Sequence, residues 1–320
     1  MKFKTFIKQT AAFTARNIKI FFRDKGTFIS ALIAPLVILL LYVLFLDGVL
    51  KDTFESNLPQ ELLETLDSKI INGFVASFEV ASILATCGVT VAFVANMAMV
   101  DDRLSGARDD LMIAPVNRAV LVLGYYFATA VATLVVCYTA LGAGFIYLAV
   151  SGWAMTVLDG FALLLDVLLT VLFGTALSSV VCNFLKSRGA VSAVSTIVST
   201  VYGFICGAYY PISQFGKGIA DTVMCLPGTY CTALLRTHMS GEFLNKFIAA
   251  GIPEDVAKTI LDSLDTNMYF FDTQVPVWAM YTVVACAVLV LVGIFVAINL
   301  VRKRRGNKVG TTRKTVRDGK

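Results

Sequence analysis

The feature that most constrains this chain is a series of uninterrupted apolar segments of about 20 residues, the length that a helix needs to cross a bilayer. Of its 320 residues, 57% are hydrophobic and only 15% are charged, and its mean hydropathy is +0.77. A soluble domain carries about a quarter charged residues. The sequence therefore predicts an all-α membrane protein. We expect six transmembrane helices, at about residues 27–46, 78–100, 119–150, 161–184, 190–210 and 277–301.

A polar segment, Asp101–Arg118, separates the second and third predicted spans. A stretch this polar is excluded from hydrocarbon and must lie in water. Its interior has the pattern of a short helix, capped by Asp102 or Ser105 and ended by Ala114-Pro115. Such a helix could dock on a soluble partner, and the alternative is an ordinary solvated loop. The charged residues are Asp101, Asp102, Arg103, Arg108, Asp109, Asp110 and Arg118, and the apolar edge is Leu104, Leu111 and Met112.

Residues 1–26 form a basic amphipathic segment before the first predicted span. This pattern predicts a helix that lies in the membrane interface. A cleavable signal peptide is not expected, because the apolar core starts late, runs too long and lacks a small-x-small cleavage site. The apolar face contains Phe3, Phe6, Ile7, Ala11, Ile18, Phe21 and Phe22, and the other face contains Lys4, Lys8, Arg16, Lys19 and Arg23.

Two longer segments connect the predicted spans on the other side of the membrane. In the first, residues 47–77, Pro59–Ile71 could form a short amphipathic helix. In the second, residues 211–276, the part Ile212–Arg236 is apolar enough to re-enter the membrane as a hairpin broken at Pro227-Gly228. A further helix is expected from Pro253 to about Leu264, because proline suits the first turn of a helix.

The distribution of Lys and Arg predicts the orientation. The side that carries both termini, the polar segment and the 185–189 turn receives 21 of the 27 Lys and Arg residues, and the other side receives 6. By the positive-inside rule the first side is cytoplasmic, which suits a multi-pass protein of the plasma membrane. The basic tail, residues 302–320, is expected to be disordered. The net charge of +5 therefore reflects topology, and no nucleic-acid partner is expected.

Few charged residues fall inside the predicted spans, and such residues are candidates for function. Glu79 and Asp159 are placed at outer ends, near water, and Asp166 lies deeper in the fourth span. It begins a stripe with Thr170, Gly174 and Ser178. The fifth span has similar stripes of small residues. They indicate either tight helix packing or a substrate path. The candidate path residues are Ser192, Ser195, Thr196, Ser199, Thr200, Gly203 and Asp166.

Motifs for catalysis or metal binding are missing from the sequence. It contains neither a phosphate-binding G-x-x-x-x-G-K-[ST] loop nor an H-E-x-x-H motif. The single histidine, His238, has no Cys or His nearby to complete a metal site, and it is expected in an outer loop. Among the seven cysteines, only Cys225 and Cys231 could meet outside the membrane. We therefore expect a non-enzyme with no metal and no cofactor of its own.

Three features carry a resemblance to a known family. The first is the basic helix that leads through Arg23-Asp24-Lys25 into the first span. The second is Asp102-Arg103-Leu104-Ser105-Gly106 followed by Leu111, Pro115 and Arg118. The third is Gly207 and Pro211 followed by Pro227-Gly228-Thr229-Tyr230 and Arg236. In this order, and with the six-span topology, they resemble the ABC-2 type permeases, the membrane subunits of a class of ATP-binding-cassette exporters. The resemblance extends over nearly the whole chain, as a single transmembrane domain.

The resemblance implies roles for these residues. The polar segment would be a coupling helix seated on a separate ABC ATPase subunit, two copies of which would bind ATP and Mg²⁺. A second copy of this chain, or a sister permease, would complete the path, with the second and fifth spans facing the dimer axis. The coupling residues would be Asp101, Asp102, Arg103, Gly106, Arg108, Leu111, Pro115 and Arg118. The outer-hairpin residues would be Gly207, Pro211, Pro227, Tyr230 and Arg236.

The sequence also departs from the family pattern. The family commonly has Glu where Asp102 stands, and often a further Pro near Phe215-Gly216. The insertion Gly241–Asp272 has no counterpart in the pattern.

The resemblance implies an exporter, and the short loops and apolar path favour an amphipathic or lipid-like substrate, such as a drug, a peptide or a lipid-linked molecule. The alternatives are an ion-coupled secondary transporter that uses Asp166, and a membrane sensor or immunity protein whose polar segment only binds a cytoplasmic partner.

Overall fold

The chain folds into a bundle of helices. The computed structural model describes residues 3–42, 66–113, 116–271 and 273–317, together with positions 44, 48, 51 and 52. The helices are α1 (Phe3–Arg23), α2 (Lys25–Leu41), α3 (Ser68–Ala95), α4 (Met97–Leu104), α5 (Ala107–Ile113), α6 (Arg118–Ser151), α7 (Val157–Cys182), α8 (Arg188–Ile205), α9 (Lys217–Met224), α10 (Pro227–Ser240), α11 (Phe243–Ala249), α12 (Glu254–Ser263) and α13 (Val277–Arg317). A 3₁₀ turn, Ile212–Gln214, precedes α9, and a hairpin of β1 (Tyr269–Phe270) and β2 (Thr273–Gln274) precedes α13.

Five helices in the described part of the chain are long and apolar enough to cross a membrane. They are Ser68–Leu104, which joins α3 and α4, then Arg118–Ser151, Val157–Cys182, Arg188–Ile205 and Val277–Val301. The first predicted span corresponds to α2, a helix of 17 residues. Several residues of that predicted span, up to Leu46, lie outside the described part. The first predicted span, which would bring the total to six, therefore stays a prediction.

Several helix ends differ from the predicted boundaries, and local caps account for two helix starts. Helix α3 begins ten residues before the predicted second span, since the Asp67 side chain accepts a hydrogen bond from the Lys69 backbone N–H at 3.0 Å. Helix α7 begins at Val157, before the predicted start of the fourth span at about residue 161, because Thr156 and Asp159 form a capping box. Helix α8 ends at Ile205 rather than near Tyr210.

Helix α3 lies at the centre of the bundle. It is buried almost continuously from Gly73 to Ala95 and packs against α2, α6, α7, α8 and α10. Two glycines allow its close approach to α7. A Cβ on Gly174 would lie 2.3 Å from the carbonyl oxygen of Gly88, so only glycine permits this approach. The small-residue stripe of the fourth predicted span therefore serves helix packing at this position.

The junction between α3 and α4 is a buried polar contact. Asn96 donates from Nδ2 to Ser178 Oγ at 2.6 Å and to Ser179 Oγ at 3.2 Å, both on α7. Its Oδ1 accepts from Thr129 on α6 at 3.2 Å. The Asn96 side chain therefore has hydrogen-bond partners on both α6 and α7. These bonds fix the break between α3 and α4 at the point where it meets those two helices.

The segment between α8 and α13 is more deeply packed than the sequence indicates. Helix α10 begins with Pro227 at its first turn and is buried against α3, α7 and α13. The insertion beyond it is anchored on the start of α3, where the ring centroid of Phe74 lies 5.6 Å from that of Phe243 and 5.4 Å from that of Phe247. Helix α12 runs from Glu254 to Ser263, with Pro253 as its N-cap.

Three further predictions concern the first outer segment, the C-terminal tail and the cysteines. Most of the predicted helix Pro59–Ile71 lies outside the described residues, as does Pro115. The tail predicted as disordered is instead helical to Arg317, as an extension of α13. Because the segment continues α13 without a break, the spanning helix already supplies the nucleus and only propagation is needed. All seven cysteines are free, so the pair considered from the sequence, Cys225 and Cys231, forms no disulfide.

Candidate coupling surface, groove and buried ion pairs

The polar segment forms two short helices rather than one. Helix α4 ends at Leu104, and α5 begins at Ala107. Between them Gly106 adopts a φ of +82°, a conformation that side-chain-bearing residues rarely adopt. The predicted caps are also different, because Asp102 lies inside α4 and Ser105 follows its last residue, donating from Oγ to the Asp101 carbonyl at 2.9 Å. Glycine at this position therefore sets the angle between the two helices.

Asp102 is bound within the chain. Its two carboxylate oxygens accept hydrogen bonds from the Arg16 guanidinium on α1 at 2.6 and 3.1 Å. Tyr125 on α6 donates its hydroxyl to the same carboxylate at 2.7 Å. The hydrogen bond to Asp102 raises the pKa of Arg16 above its ordinary value. Asp102 therefore ties α4 to α1 and α6, where the family resemblance suggested a contact with a partner.

The other charged residues of the polar segment also reach elements of this chain. Asp101 Oδ1 accepts from Arg188 Nε, at the start of α8, at 2.5 Å. Arg103 donates to the carbonyls of Asn183 and Leu185, in the turn between α7 and α8, at 3.0 and 3.2 Å. These contacts bind α4 to the ends of two spanning helices.

Helix α5 is attached separately. Arg108 Nη2 donates to Asn299 Oδ1 on α13 at 3.0 Å, and the half-buried Leu111 and Met112 pack against the core. Arg118 is half-buried as the first residue of α6. The polar segment is therefore held by α1, α6, α8, α13 and the turn after α7.

A surface of the polar segment remains exposed. Leu104 and Ile113 expose 52% and 84% of their surface, although both are large apolar residues. Asp109 and Asp110, in the first turn of α5, are also exposed. We call these four residues the coupling surface. Exposed apolar residues beside charged ones are typical of a surface that binds another protein.

A second feature is a groove of about 490 Å³ between α2, α3 and α8. Five of the seven candidate path residues, all on α8, line it, and Thr90 on α3 donates to Ser199 Oγ at 3.0 Å. Phe93, Val94 and Met97 give it an apolar side. We call it the hydroxyl groove. The five residues are Ser192, Ser195, Thr196, Ser199 and Thr200, and Thr27, Ser30 and Tyr209 add further hydroxyls.

The structure does not bring the other two candidate path residues into this groove. Gly203 packs against Tyr209, whose Cε2 would lie 2.1 Å from an added Cβ. Asp166 is fully buried and lies between α7, α10 and α13. Its Oδ2 is 2.6 Å from His238 Nδ1, and its Oδ1 accepts from the Tyr281 hydroxyl at 2.7 Å. Asp166 is therefore part of a separate polar cluster.

Two expectations about titratable residues are wrong. His238 lies in α10 rather than in a loop, because its pairing with Asp166 satisfies a polar group inside the bundle. Glu79 is fully buried rather than near water, and its Oε2 accepts from the Tyr147 hydroxyl at 3.0 Å. Hydropathy reflects only the free-energy cost of burying a polar side chain. It does not include the hydrogen bonds that these two side chains make with residues on other helices.

Arg236, one of the outer-hairpin residues, is buried and contacts another of them, Gly207. Arg236 is 1% exposed, and its Nη1 lies 3.1 Å from Asp265 Oδ2. It also donates to the Gly207 carbonyl and, at 3.3 Å, to Ser82 on α3. Its guanidinium carbon lies 4.0 Å from the centroid of the Phe78 ring. Arg236 therefore joins α10, α3 and the turn after α8.

Asp265 completes this cluster from the insertion. It accepts backbone hydrogen bonds from Ile212, next to Pro211, and from Ser213 at 2.9 Å. Its own φ is +53°. Pro227 lies at the first turn of α10, and Tyr230 is buried on that helix. Sequence patterns missed Asp265, because nothing near it in the chain indicates that its partner is Arg236.

A comparison with known protein families identifies the family of this chain. The family model for ABC-2 type transporter proteins matches residues 8–239, well over half of the 320 residues. The match includes the polar segment, the hydroxyl groove and Arg236, and it ends before the insertion. A comparison with curated proteins found none that matches the chain. Its family match and its long apolar helices make it an integral membrane protein. This chain belongs to the ABC-2 type transporter family.

Proposed function

We propose that this chain is the permease subunit of an ABC exporter and is driven by a separate ATPase subunit that binds ATP and Mg²⁺. The observation that carries the proposal is the architecture of the polar segment. One side is the exposed coupling surface, with Leu104 and Ile113 beside Asp109 and Asp110. The other side is bound by ion pairs and hydrogen bonds to several helices of the bundle.

This arrangement suits the transmission of movement. A partner that shifts the coupling surface would displace α4 and α5, because short helices move as units about the Gly106 hinge. Asp102 would pass that displacement to α1, and Asp101 would pass it to α8 through Arg188. Helix α8 forms one wall of the hydroxyl groove. A change at the coupling surface would therefore alter the groove, and coupling requires such a link between the two sites.

We further propose that two permease chains pair through the side that carries α8. Among the five helices of the described residues that are long enough to cross a membrane, α8 has the smallest buried share, at 17% of its most apolar window. Its Ser192, Thr196 and Thr200 are exposed. Hydroxyl groups are unfavourable against lipid tails, so a second permease chain or an aqueous path is the more favourable neighbour. Two ATPase subunits would then serve the pair.

The substrate proposed is amphipathic or lipid-like, and it would move outward across the plasma membrane. The hydroxyl groove supports this class, since it combines serine and threonine hydroxyls with apolar side chains. The excess of Lys and Arg on the side of the polar segment supports a cytoplasmic position for that segment and for both termini.

Purification in mild detergent tests the partnership. A tagged chain from native membranes should bring with it a nucleotide-binding subunit with vanadate-sensitive ATPase activity. Ile113→Asp should lower the amount of that subunit retained, because a charge would replace an exposed apolar contact. Ile219→Asp is the matched control, since Ile219 is similarly exposed, at 60%, but lies on α9. A chain that purifies alone and inactive would contradict the proposal.

Labelling with a membrane-impermeant thiol reagent tests the path. In a background without the exposed Cys225 and Cys286, a Ser199→Cys variant should be labelled and protected by transported substrate. Ile197→Cys, on the same helix but outside the hydroxyl groove, should show no such protection. Proton- or sodium-dependent transport that is lost in Asp166→Asn and needs no ATPase would instead favour an ion-coupled carrier.

A further inference from the structure

A separate groove of about 430 Å³ lies between α1 and the beginning of α6. On α1, the small side chains of Ala11 and Ala15 leave room for the groove. On α6, Leu123 and Phe127 line its opposite side. None of its lining residues belongs to the hydroxyl groove or to the coupling surface. We call it the α1–α6 groove.

Three lysines of α1 border this groove. Side chains three or four positions apart are neighbours on a helix. Lys4 is three positions from Ile7, Lys8 is three from Ala11, and Lys19 is four from Ala15, and all three of those neighbours line the groove. Helix α1 contains no acidic residue. The groove is therefore apolar inside and positively charged along one rim.

These lysines have no counter-ion within the described part of the chain. Arg16, on the same helix, is bound to Asp102 at 2.6 Å. Lys4, Lys8 and Lys19 are exposed and form no ion pair with described residues. Their charge is available to a ligand that brings its own negative group.

The groove also holds a hydrogen-bonding group without a partner. Thr14 lines it, and its hydroxyl oxygen is buried but makes no hydrogen bond with described residues. A buried hydroxyl normally has a partner. An ester or phosphate oxygen in the groove would provide one.

We propose that the α1–α6 groove binds an anionic phospholipid, with one acyl chain against Ala11, Ala15 and Phe127 and the phosphate near the lysines. The apolar path continues along α6, where Phe127, Val131 and Val135 are exposed at four-residue intervals. An acyl chain lying on this stripe would extend from the groove into the bilayer. Basic pockets beside membrane helices commonly bind anionic headgroups.

A second copy of this chain is a less favourable occupant. A two-fold contact between α1 helices would bring the same lysines of both copies together, and α1 has no acidic side chain to compensate. A zwitterionic lipid could fill the apolar part but would not neutralise the lysines. The charge therefore selects an anionic lipid.

Native mass spectrometry of the full chain in detergent can count individual lipid-binding events. Phosphatidylglycerol should bind more tightly than phosphatidylcholine in its first event. A Lys8→Gln variant should weaken that event about fivefold, because each basic residue near an anionic headgroup contributes about 1 kcal/mol. The variant with Lys4, Lys8 and Lys19 all changed to Gln should show no preference between the two lipids. Lys186→Gln, exposed in the turn between α7 and α8, is the control and should behave as wild type.

A second pair of variants tests the groove itself. Ala11→Leu should fill it and weaken the first event for both lipids, whereas Ala12→Leu, exposed and outside the groove, should not. Circular dichroism confirms that each variant is folded. Equal binding of the two lipids by wild type would overturn the proposal, and so would a preference that survives in the triple lysine variant or a first event unaffected by Ala11→Leu. None of these results depends on transport or on an ATPase partner.

Discussion

Arg16 and Asp102 lie 86 positions apart in the sequence, yet two guanidinium nitrogens of Arg16 contact the two carboxylate oxygens of Asp102 at 2.6 and 3.1 Å. The pair joins the N-terminal helix to the polar segment. It assigns Asp102 to the internal framework of the protein, and it leaves Asp109 and Asp110 as the exposed carboxylates of the coupling surface.

We predict that exchanging the two charges preserves this link. Arg16→Asp or Asp102→Arg alone should lower both the stability of the protein and ATP-driven transport, because each places like charges together. The double variant should recover most of the loss, with a coupling energy of about 1 kcal/mol for this partly exposed pair. Thermal unfolding in detergent and transport in vesicles measure the two effects. If the double variant showed no recovery, Asp102 would instead be assigned to the contact with the ATPase subunit.

We predict that Gly106→Ala uncouples ATP hydrolysis from transport while the protein still inserts into the membrane. Gly106 has a φ of +82°, and no atom lies within 4 Å of an added Cβ. The cost, about 1–2 kcal/mol, therefore comes from the backbone rather than from crowding. Gly216→Ala is the matched control, because Gly216 also has open space but an ordinary φ of −59°. Normal ATP-dependent transport by the Gly106→Ala variant would refute the proposal that Gly106 acts as a hinge between α4 and α5.

We predict that Asp265→Ala destabilises the protein strongly. It would remove the counter-ion of Arg236, whose side chain is 2% exposed, and the loss of one member of a buried pair costs about 3–5 kcal/mol. The unfolding temperature in detergent should fall by far more than in Asp255→Ala, which changes an exposed residue at the start of α12. Similar unfolding temperatures for the two variants would show that Arg236 does not need this partner.

We predict a pH-dependent stability from His238. This residue is on α10, a helix of 14 residues that is not among the spanning helices. Burial lowers the pKa of His238, whereas the hydrogen bond and charge of Asp166, with smaller contributions from Asp159 and the Leu234 carbonyl, raise it, and the net pKa lies above the ordinary 6.5. Because the charged form is favoured in the folded protein, its stabilisation is complete below about pH 6.5 and is lost as the pH rises through the raised pKa.

Thermal unfolding across this range tests the assignment. Between about pH 6 and about pH 9, the unfolding temperature of wild type should fall more than that of His238→Gln. Asp166→Asn should reduce the difference as well, since it removes the charge that favours protonated histidine. An identical pH profile for wild type and His238→Gln would contradict the ion pair.

The sequence predicts much of the helical architecture because hydrocarbon imposes a length and a composition on helices. Helices α6, α7 and α13 include most of their predicted spans for this reason. Family motifs also indicated Arg236 and the polar segment. The predicted ends were less accurate, because single residues such as Asp67 and Thr156 decide where a helix begins.

Partners across the bundle could not be predicted. His238 and Asp166 are 72 positions apart, and Arg236 and Asp265 are 29 apart. Hydropathy assigns each buried polar residue an unfavourable free energy. In the folded protein that free energy depends on whether helix packing brings a hydrogen-bonding partner near. The polar character of His238 therefore suggested a loop, although the residue lies in a helix with a buried counter-ion.

The position of Asp265 has a consequence for building chimaeras in this family. The region shared with the family ends at residue 239, and it is the natural boundary for exchanging the last part of the chain with that of a relative. Such an exchange would keep Arg236 and discard the carboxylate that neutralises it. A functional hybrid would have to carry the insertion with the core, or import an acidic residue that reaches the same place.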